Sequence, residues 1–393
     1  MNPLQVYADA NATFPVRPSH YDDVMKLLRQ SDGNPSSIHA QGREAKVALE
    51  SARAAVAAMV GARPPEIIFT SGATEANNLV IQGVIWKARS EAPSAAGGRD
   101  FLPEVIVSGY EHPSVMAPAQ TMADRGLCKL VIAPVSNYEV TPETVTSLMT
   151  PATVLVCVMH VNNETGSVNR VQDIAAAVAM KNPGVHMHVD AVQALGKFDL
   201  TRYKQSAIHS ASTSAHKIGG FKGVGALFLQ PGRKLSLLTA GGGQERARRP
   251  GTENLPGIFS FGLRCRELLG QSDSFTAAMK SAKVRFVRGL QDISGAVLHG
   301  DPEKTAPNTV NFHIEGVAGD DLLLNLDLCG VCASSGSACS SGVSRPSPVL
   351  LACGQSEWVA LNSIRISFTD DVSDRDVDHI LSVLRSVTAR MRK

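Results

Sequence analysis

The sequence predicts an α/β protein, a large and mostly parallel sheet covered by helices on both faces, with a smaller α+β lobe after it. Between about residues 66 and 229, short apolar runs alternate with segments of helical spacing, as strands buried on both faces require. Several of these runs end in polar, turn-forming residues, which places chemistry at the carboxyl edge of the sheet. After about residue 258 the alternation stops, and amphipathic helices flank a few strand-like runs. At 393 residues the chain is too long for one ordinary core. The expected division is a large domain over 15–258 and a small one made of 1–14 and 259–393.

In order, residues 7–15 are extended, and a helix over 18–29 opens on Pro18. The turn Gly33-Asn34-Pro35-Ser36-Ser37 leads into an Ala-rich helix over 38–60, closed by Gly61. A buried strand over 66–70 runs into Ser71-Gly72-Ala73-Thr74 and then an apolar helix to Trp86. Residues 90–100 are small and polar, a surface loop. Further strands are expected at 104–107, 129–134, 154–161, 186–189, 208–211 and 226–229, with helices at 112–124, 141–149 and 171–180. The smaller lobe begins with one long amphipathic helix, over 259–269 and then 275–293, and a strand over 308–313. A helix over 320–328 stops at Gly330, a strand follows at 331–334, then a Gly/Ser loop, a strand at 364–367 and a helix at 373–391. The N-terminal strand is expected to join this lobe.

Composition excludes several classes. The net charge of +2, with acids and bases interspersed, argues against a nucleic-acid surface. No apolar run approaches the roughly 18 residues of a membrane span, and the first residues carry no leader pattern, so a cytoplasmic protein is expected. Seven cysteines, an odd number, argue against a disulfide framework. The spacing Cys329-x2-Cys332-x6-Cys339-x13-Cys353 admits a metal site. However, Cys329 ends an apolar helix and Cys332 lies in the following strand, so two buried free thiols explain them and no metal is expected.

The residues that carry chemistry sit at strand ends. Ser71-Gly72-Ala73-Thr74, between strand and helix, suits either an ordinary N-cap or an anion held on free backbone N–H groups. Asp190 ends the strand His188-Val189-Asp190. It either caps the next helix or holds a ring nitrogen protonated, with Gln193 within reach of the same ring. His112, in Glu111-His112-Pro113, and Asn163, in Asn162-Asn163-Glu164, follow two other strands. Ser212-Thr213-Ser214-Ala215-His216-Lys217 brings hydroxyls, an imidazole and an amine together before two glycines. A lysine so placed suits a Schiff base. Cys339 lies among small residues, Ser335-Gly336-Ser337-Ala338-Cys339-Ser340, a setting for an exposed nucleophilic thiol.

Together these segments resemble the cysteine desulfurases of the pyridoxal-phosphate-dependent class V aminotransferase superfamily. The likeness rests on Asp9-x-Asn11-Ala12-Thr13, Gly33-Asn34-Pro35, Thr70-Ser71-Gly72-Ala73-Thr74-Glu75, Glu111-His112-Pro113, Asn162-Asn163-Glu164-x-Gly166, His188-Val189-Asp190-Ala191-x-Gln193 and Ser214-x-His216-Lys217. It continues through Gly241-Gly242-Gly243-Gln244, Gly251-Thr252-Glu253-Asn254 and Ser334-Ser335-Gly336-Ser337-Ala338-Cys339. Phe14, Gly220-Phe221 and Arg345 depart from the usual pattern.

The resemblance implies the aspartate-aminotransferase-like fold of pyridoxal-phosphate enzymes, with pyridoxal 5'-phosphate on Lys217. It implies a phosphate held by Ala73, Thr74, Ser214 and His216, and by Thr252 across a homodimer. His112 would lie against the ring, with Asp190 at its nitrogen and Gln193 at its phenolic oxygen. L-cysteine would be held by Asn163, Arg365 and Asn34, and Cys339 would take its sulfur as a persulfide, leaving alanine. A sulfur-acceptor or iron–sulfur scaffold protein would be the partner. A selenocysteine lyase or an aminotransferase on the same fold, or a non-catalytic scaffold, are the alternatives.

Overall fold

The computed structural model describes residues 5–31, 33–91, 101–335 and 345–392, without the side chains of 271–273. The first part of the chain comprises β1 (Val6–Tyr7), α1 (Pro18–Gln30), α2 (Ala40–Met59), β2 (Ile67–Thr70), α3 (Ala73–Glu91), β3 (Glu104–Ser108), α4 (Pro113–Asp124) and β4 (Lys129–Ala133). Next come α5 (Pro142–Leu148), β5 (Thr153–Cys157), α6 (Val171–Lys181), β6 (His186–Asp190), β7 (Ser210–Ser214) and β8 (Gly225–Leu229). A short turn of helix α7 (Gln244–Ala247) leads to α8 (Leu255–Gln291), β9 (Ala296–Leu298), β10 (Thr309–Ile314), α9 (Gly319–Leu328), β11 (Val331–Cys332) and β12 (Ser334–Ser335). The chain closes with α10 (Pro348–Ala352), α11 (Glu357–Asn362), β13 (Ile364–Ser367) and α12 (Asp374–Met391).

Seven strands form the large sheet in the order β2-β8-β7-β6-β5-β3-β4. The pairs from β7 through β4 are parallel, and only β8 runs against its two neighbours. The helical crossovers leave apolar side chains on both faces. Leu49, Val56, Ile106, Val156, Ile174 and Val189 share one core, and Ile68, Val80, Ile81, Val105, Leu155 and Leu227 share the other. Each such side chain, fully buried, contributes roughly 1.5–3 kcal/mol.

The second lobe is a four-stranded antiparallel sheet, β12-β13-β10-β9, packed on α9 and α12. Its core centres on Phe286, Phe312 and Phe368, whose rings meet at 5.7–5.8 Å. Helix α12 follows from its sequence. Ser373 and Asp376 form a capping box, and Val377, Ile380, Leu381, Leu384 and Val387 make one buried stripe. The N-terminal strand β1 pairs with β11. Helix α8 belongs to both cores, giving Phe261, Leu268 and Met279 to the first and Phe286 and Leu290 to the second.

Several sequence expectations are corrected. The long helix expected over 259–269 and 275–293 is present and starts four residues earlier, as one helix of 37 residues; the polar stretch inside it holds no proline, and Phe275 and Met279 keep the apolar stripe in phase. The strand expected over 154–161 ends at Cys157, since the Met159 N–H bonds the Glu111 carboxylate (2.5 Å) rather than a neighbouring strand. The strand expected at 208–211 is Ser210–Ser214, whose small hydroxyls tolerate full burial. The strand expected at 331–334 divides into β11 and β12, which join different sheets. Cys329 and Cys332 are half-buried rather than buried. Among the described residues no helix is long and apolar enough to cross a membrane.

Candidate active site

The carboxyl ends of β6 and β7, the loops after β2, β3 and β5, and the N-terminal segment 9–13 converge on Lys217. This lysine ends a single 3-10 turn, Ala215–Lys217, directly after β7. Its Nζ donates to the carbonyl oxygens of Asn11 (2.7 Å) and Ala12 (2.9 Å). The segment carrying those carbonyls is pinned from the other side, where the Phe14 N–H donates to the His216 carbonyl (2.8 Å) and Thr13 Oγ1 meets His216 Nδ1 (3.2 Å). The ring of Phe14, a departure from the family pattern, is buried beneath the Arg264 guanidinium. Burial, and then the charges of Lys217 and Lys222, push His216 down to about 4, so it is a neutral hydrogen-bonding group.

Asp190 ends β6 beside Ser212 of β7. Its carboxylate is buried and accepts from the Val192 N–H (3.0 Å) and from Asn77 Nδ2 (2.9 Å). Asn77 in turn accepts from His188 Nε2 (2.9 Å), and His188 Nδ1 bonds Ser210 Oγ (2.8 Å). Burial holds His188 down to about 3, so this relay is neutral and fixes the orientation of the Asp190 side chain. His112 caps α4, its Nδ1 accepting from the Ser114 N–H (3.0 Å). Burial lowers its proton affinity, the Asp190 charge raises it and the Lys217 charge lowers it again, so the three side chains lie within one electrostatic neighbourhood. Behind His112, burial pushes the Glu111 carboxyl up to about 8.

After β2, α3 starts at Ala73 with Thr74 exposed beside it. Gly72 and Gly225 touch so closely that a Cβ on Gly225 would come within 2.7 Å of the Gly72 backbone, which forces glycine there. Ser214 lies buried at the end of β7. From the small lobe, Arg365 of β13 is almost fully buried. It donates to the Asn163 carbonyl (2.9 Å) and pairs with Asp9 (2.6 Å), while its Nε has no partner among the described residues. The planar partner that a buried guanidinium needs is thus Asp9 in part. Gln193 Nε2 donates to the Asn11 carbonyl (3.0 Å).

The structure therefore brings Lys217, His112, Asp190, Gln193, His216, Asn163 and Arg365 to one region. Thr74 and Ser214 lie on its β2 and β7 edges. Asn34 is exposed, with its side chain spent on its own turn (Ser36 N–H to Oδ1, 2.9 Å), and Thr252 is exposed on the loop before α8. Cys339 lies outside the described residues. Asn11, Asn77 and Lys197 are structural partners that sequence reasoning missed. Asn77 is a polar residue on the buried stripe of α3, and Lys197 lies four residues after Gln193 in an apolar turn. Those two irregularities were the available signals.

The fit to an aldehyde cofactor bearing phosphate follows from the donor set. An amine, a buried carboxylate, a helix N-terminus and two buried polar atoms without partners among the described residues, Ser212 Oγ and Arg365 Nε, surround the same region. These residues fit pyridoxal phosphate.

Comparison with known proteins agrees. The family model described as aminotransferase class-V matches residues 6–380. A cysteine desulfurase, IscS, of Dictyoglomus turgidum is 35% identical over 390 residues, covering 99% of this chain and 95% of that protein. A cysteine desulfurase of Gluconacetobacter diazotrophicus is also 35% identical, covering 99% and 94%. Among solved structures, a NifS-like protein superposes with a TM-score of 0.89 at 31% identity, covering 98% of this chain and all (100%) of that one. The structure described as SspA in complex with cysteine gives a TM-score of 0.80 at 28% identity, covering 93% and 99%. The chain belongs to the class-V aminotransferase family, within its cysteine desulfurase branch.

Proposed function

We propose that the protein is a pyridoxal-phosphate-dependent cysteine desulfurase that converts L-cysteine to L-alanine and keeps the sulfur as a persulfide on Cys339. The observation that carries this reading is the meeting of Lys217, Asp190 and His112 at the carboxyl edge of the sheet, with Arg365 entering from the small lobe.

Lys217 would hold the cofactor's aldehyde carbon, and Asp190 its ring nitrogen. Gln193 would hold its phenolic oxygen, and Ala73, Thr74, Ser214 and His216 its phosphate, with Thr252 of a second subunit completing the cup in a homodimer. When bound, the cofactor supplies the electron sink that lets the substrate lose its α-proton. Lys217, released as an amine, is the base at that carbon. Asn163 and Arg365 orient the substrate carboxylate, and Arg365 Nε, without a partner among the described residues, is a donor suited to it.

His112, held neutral, is placed to take the substrate thiol's proton. The Cys339 thiolate then forms a bond to the substrate sulfur as the carbon–sulfur bond breaks. That bond's electron pair stays with carbon, which takes a proton and leaves as alanine. A sulfur-acceptor or iron–sulfur scaffold protein would remove the sulfur, in the cytoplasm. Purified protein given pyridoxal phosphate and L-cysteine tests this: a visible absorbance band and equal amounts of alanine and sulfur are expected. Loss of the band with Lys217→Ala is also expected, and alanine formation without the band would overturn the reading.

A further inference from the structure

Lys197 is a buried amine whose hydrogen bonds, among the described residues, go to amides rather than to a carboxylate. Its Nζ donates to Gln193 Oε1 (2.8 Å) and more loosely to Asn11 Oδ1 (3.4 Å). Burial, and then the like charges of Lys217 and Arg365, bring Lys197 down to about 7. A buried cation without a counter-ion is costly and is retained only where something uses it. The fold also goes out of its way to place it. Gly196 adopts φ +76°, a left-handed turn in which a Cβ would meet Leu268 at 3.0 Å, and this turn returns Lys197 beneath Gln193.

The consequence falls on Gln193. The Asn11 carbonyl can only accept and the protonated Lys197 can only donate, so the Gln193 nitrogen faces the first and its oxygen the second. Its NH2 is thereby turned to the Asn11 carbonyl, the same oxygen that accepts from Lys217. Asn11 is in turn a hub. Its Nδ2 donates to the Asn163 carbonyl (3.1 Å) and to Thr309 Oγ1 (2.9 Å), and its Oδ1 accepts from Asn308 (2.9 Å). One buried charge thus ties the turn after β6 to the N-terminal segment, the loop after β5 and β10 of the small lobe.

We propose that Lys197 is a positioning residue of the cofactor site, which orients and polarises the Gln193 amide so that its second N–H is presented to the phenolic oxygen of the bound cofactor. This rests on the reading of Lys217 and Gln193 given above. A donor backed by a cation at that oxygen favours the more negative, deprotonated form of the bound cofactor.

The test is a pH titration of the visible band of the pyridoxal-phosphate-loaded protein. Lys197→Met is expected to retain the band but raise its pKa by about one unit, a tenfold shift in proton concentration. Gln193→Ala is expected to raise it similarly, and the double variant by no more than the larger single shift. An unchanged band pKa in Lys197→Met, even with a lower melting temperature, would mean a merely structural role and overturns the proposal. Shifts that add in the double variant overturn it too, because Lys197 would then act independently of Gln193. If the methionine variant does not fold, Lys197→Gln, which keeps a donor but no charge, undergoes the same titration with the same expectations. A wild-type protein that forms no band with pyridoxal phosphate would instead refute the assignment of Lys217.

Discussion

Removing the Arg53 guanidinium leaves a carboxylate buried without its counter-ion. Arg53, on α2, donates from both terminal nitrogens to Glu245 (2.7 Å each), and the Phe69 N–H donates to the same carboxylate (2.8 Å). Both side chains are nearly inaccessible. Glu245 also sits at φ +48°, in the left-handed region, so this clamp holds a strained residue at the base of the loop that carries Thr252. Breaking one partner of such a pair costs about 3–5 kcal/mol. At roughly 2.1 cal/mol/K of unfolding entropy per residue, a cooperative transition of a chain this size should fall by about 4–6 °C. Arg53→Met should show that drop in thermal unfolding and a lower denaturant midpoint. Arg53→Met/Glu245→Gln should be less unstable than the sum of its single variants by at least about 1 kcal/mol. A single-variant loss under about 1 kcal/mol, or strict additivity, would refute the reasoning.

Two further predictions concern charge. His160, His209, His216 and His299 are held down to about 4, and His188 to about 3, with burial as the leading cause in each case. The unfolded chain therefore binds more protons at these five side chains below pH 6.5. Glu111 and Glu164, pushed up to about 8 and about 7, act in the opposite sense at only two positions. Stability should accordingly be lost as pH falls from 6.5 toward 4, measured as unfolding free energy against pH, and a flat profile there would contradict the assignment. Arg365→Lys keeps the charge but loses the fork, so KM for L-cysteine should rise about 10- to 100-fold at an unchanged visible band, and an unchanged KM would remove Arg365 from substrate binding.

Much of this was legible in the sequence, because periodicity and strand-end chemistry are local. Lys217, Asp190 and His112 each follow an apolar run, and a parallel sheet brings such ends to one edge. What was not legible depends on contacts between distant segments. Asn11 lies in a tight turn after β1, and its neighbours Asn308, Thr309 and Asn163 are far along the chain. Lys197 reads as an ordinary turn lysine until burial is known, and Arg53 as an ordinary helix arginine until Glu245 is found against it. The misplaced end of the fifth strand has the same origin, since the side chain of Glu111 takes a backbone N–H that the apolar pattern assigns to the ladder.

The central claim is that Lys217 supports the cofactor chemistry and Cys339 takes the sulfur. After a single turnover with L-cysteine and pyridoxal phosphate, peptide mass analysis should find one additional sulfur atom on Cys339. Cys339→Ala should keep the visible band and substrate binding yet produce no persulfide and no catalytic release of alanine. A Cys339→Ala protein that desulfurates cysteine at the wild-type rate would contradict the account.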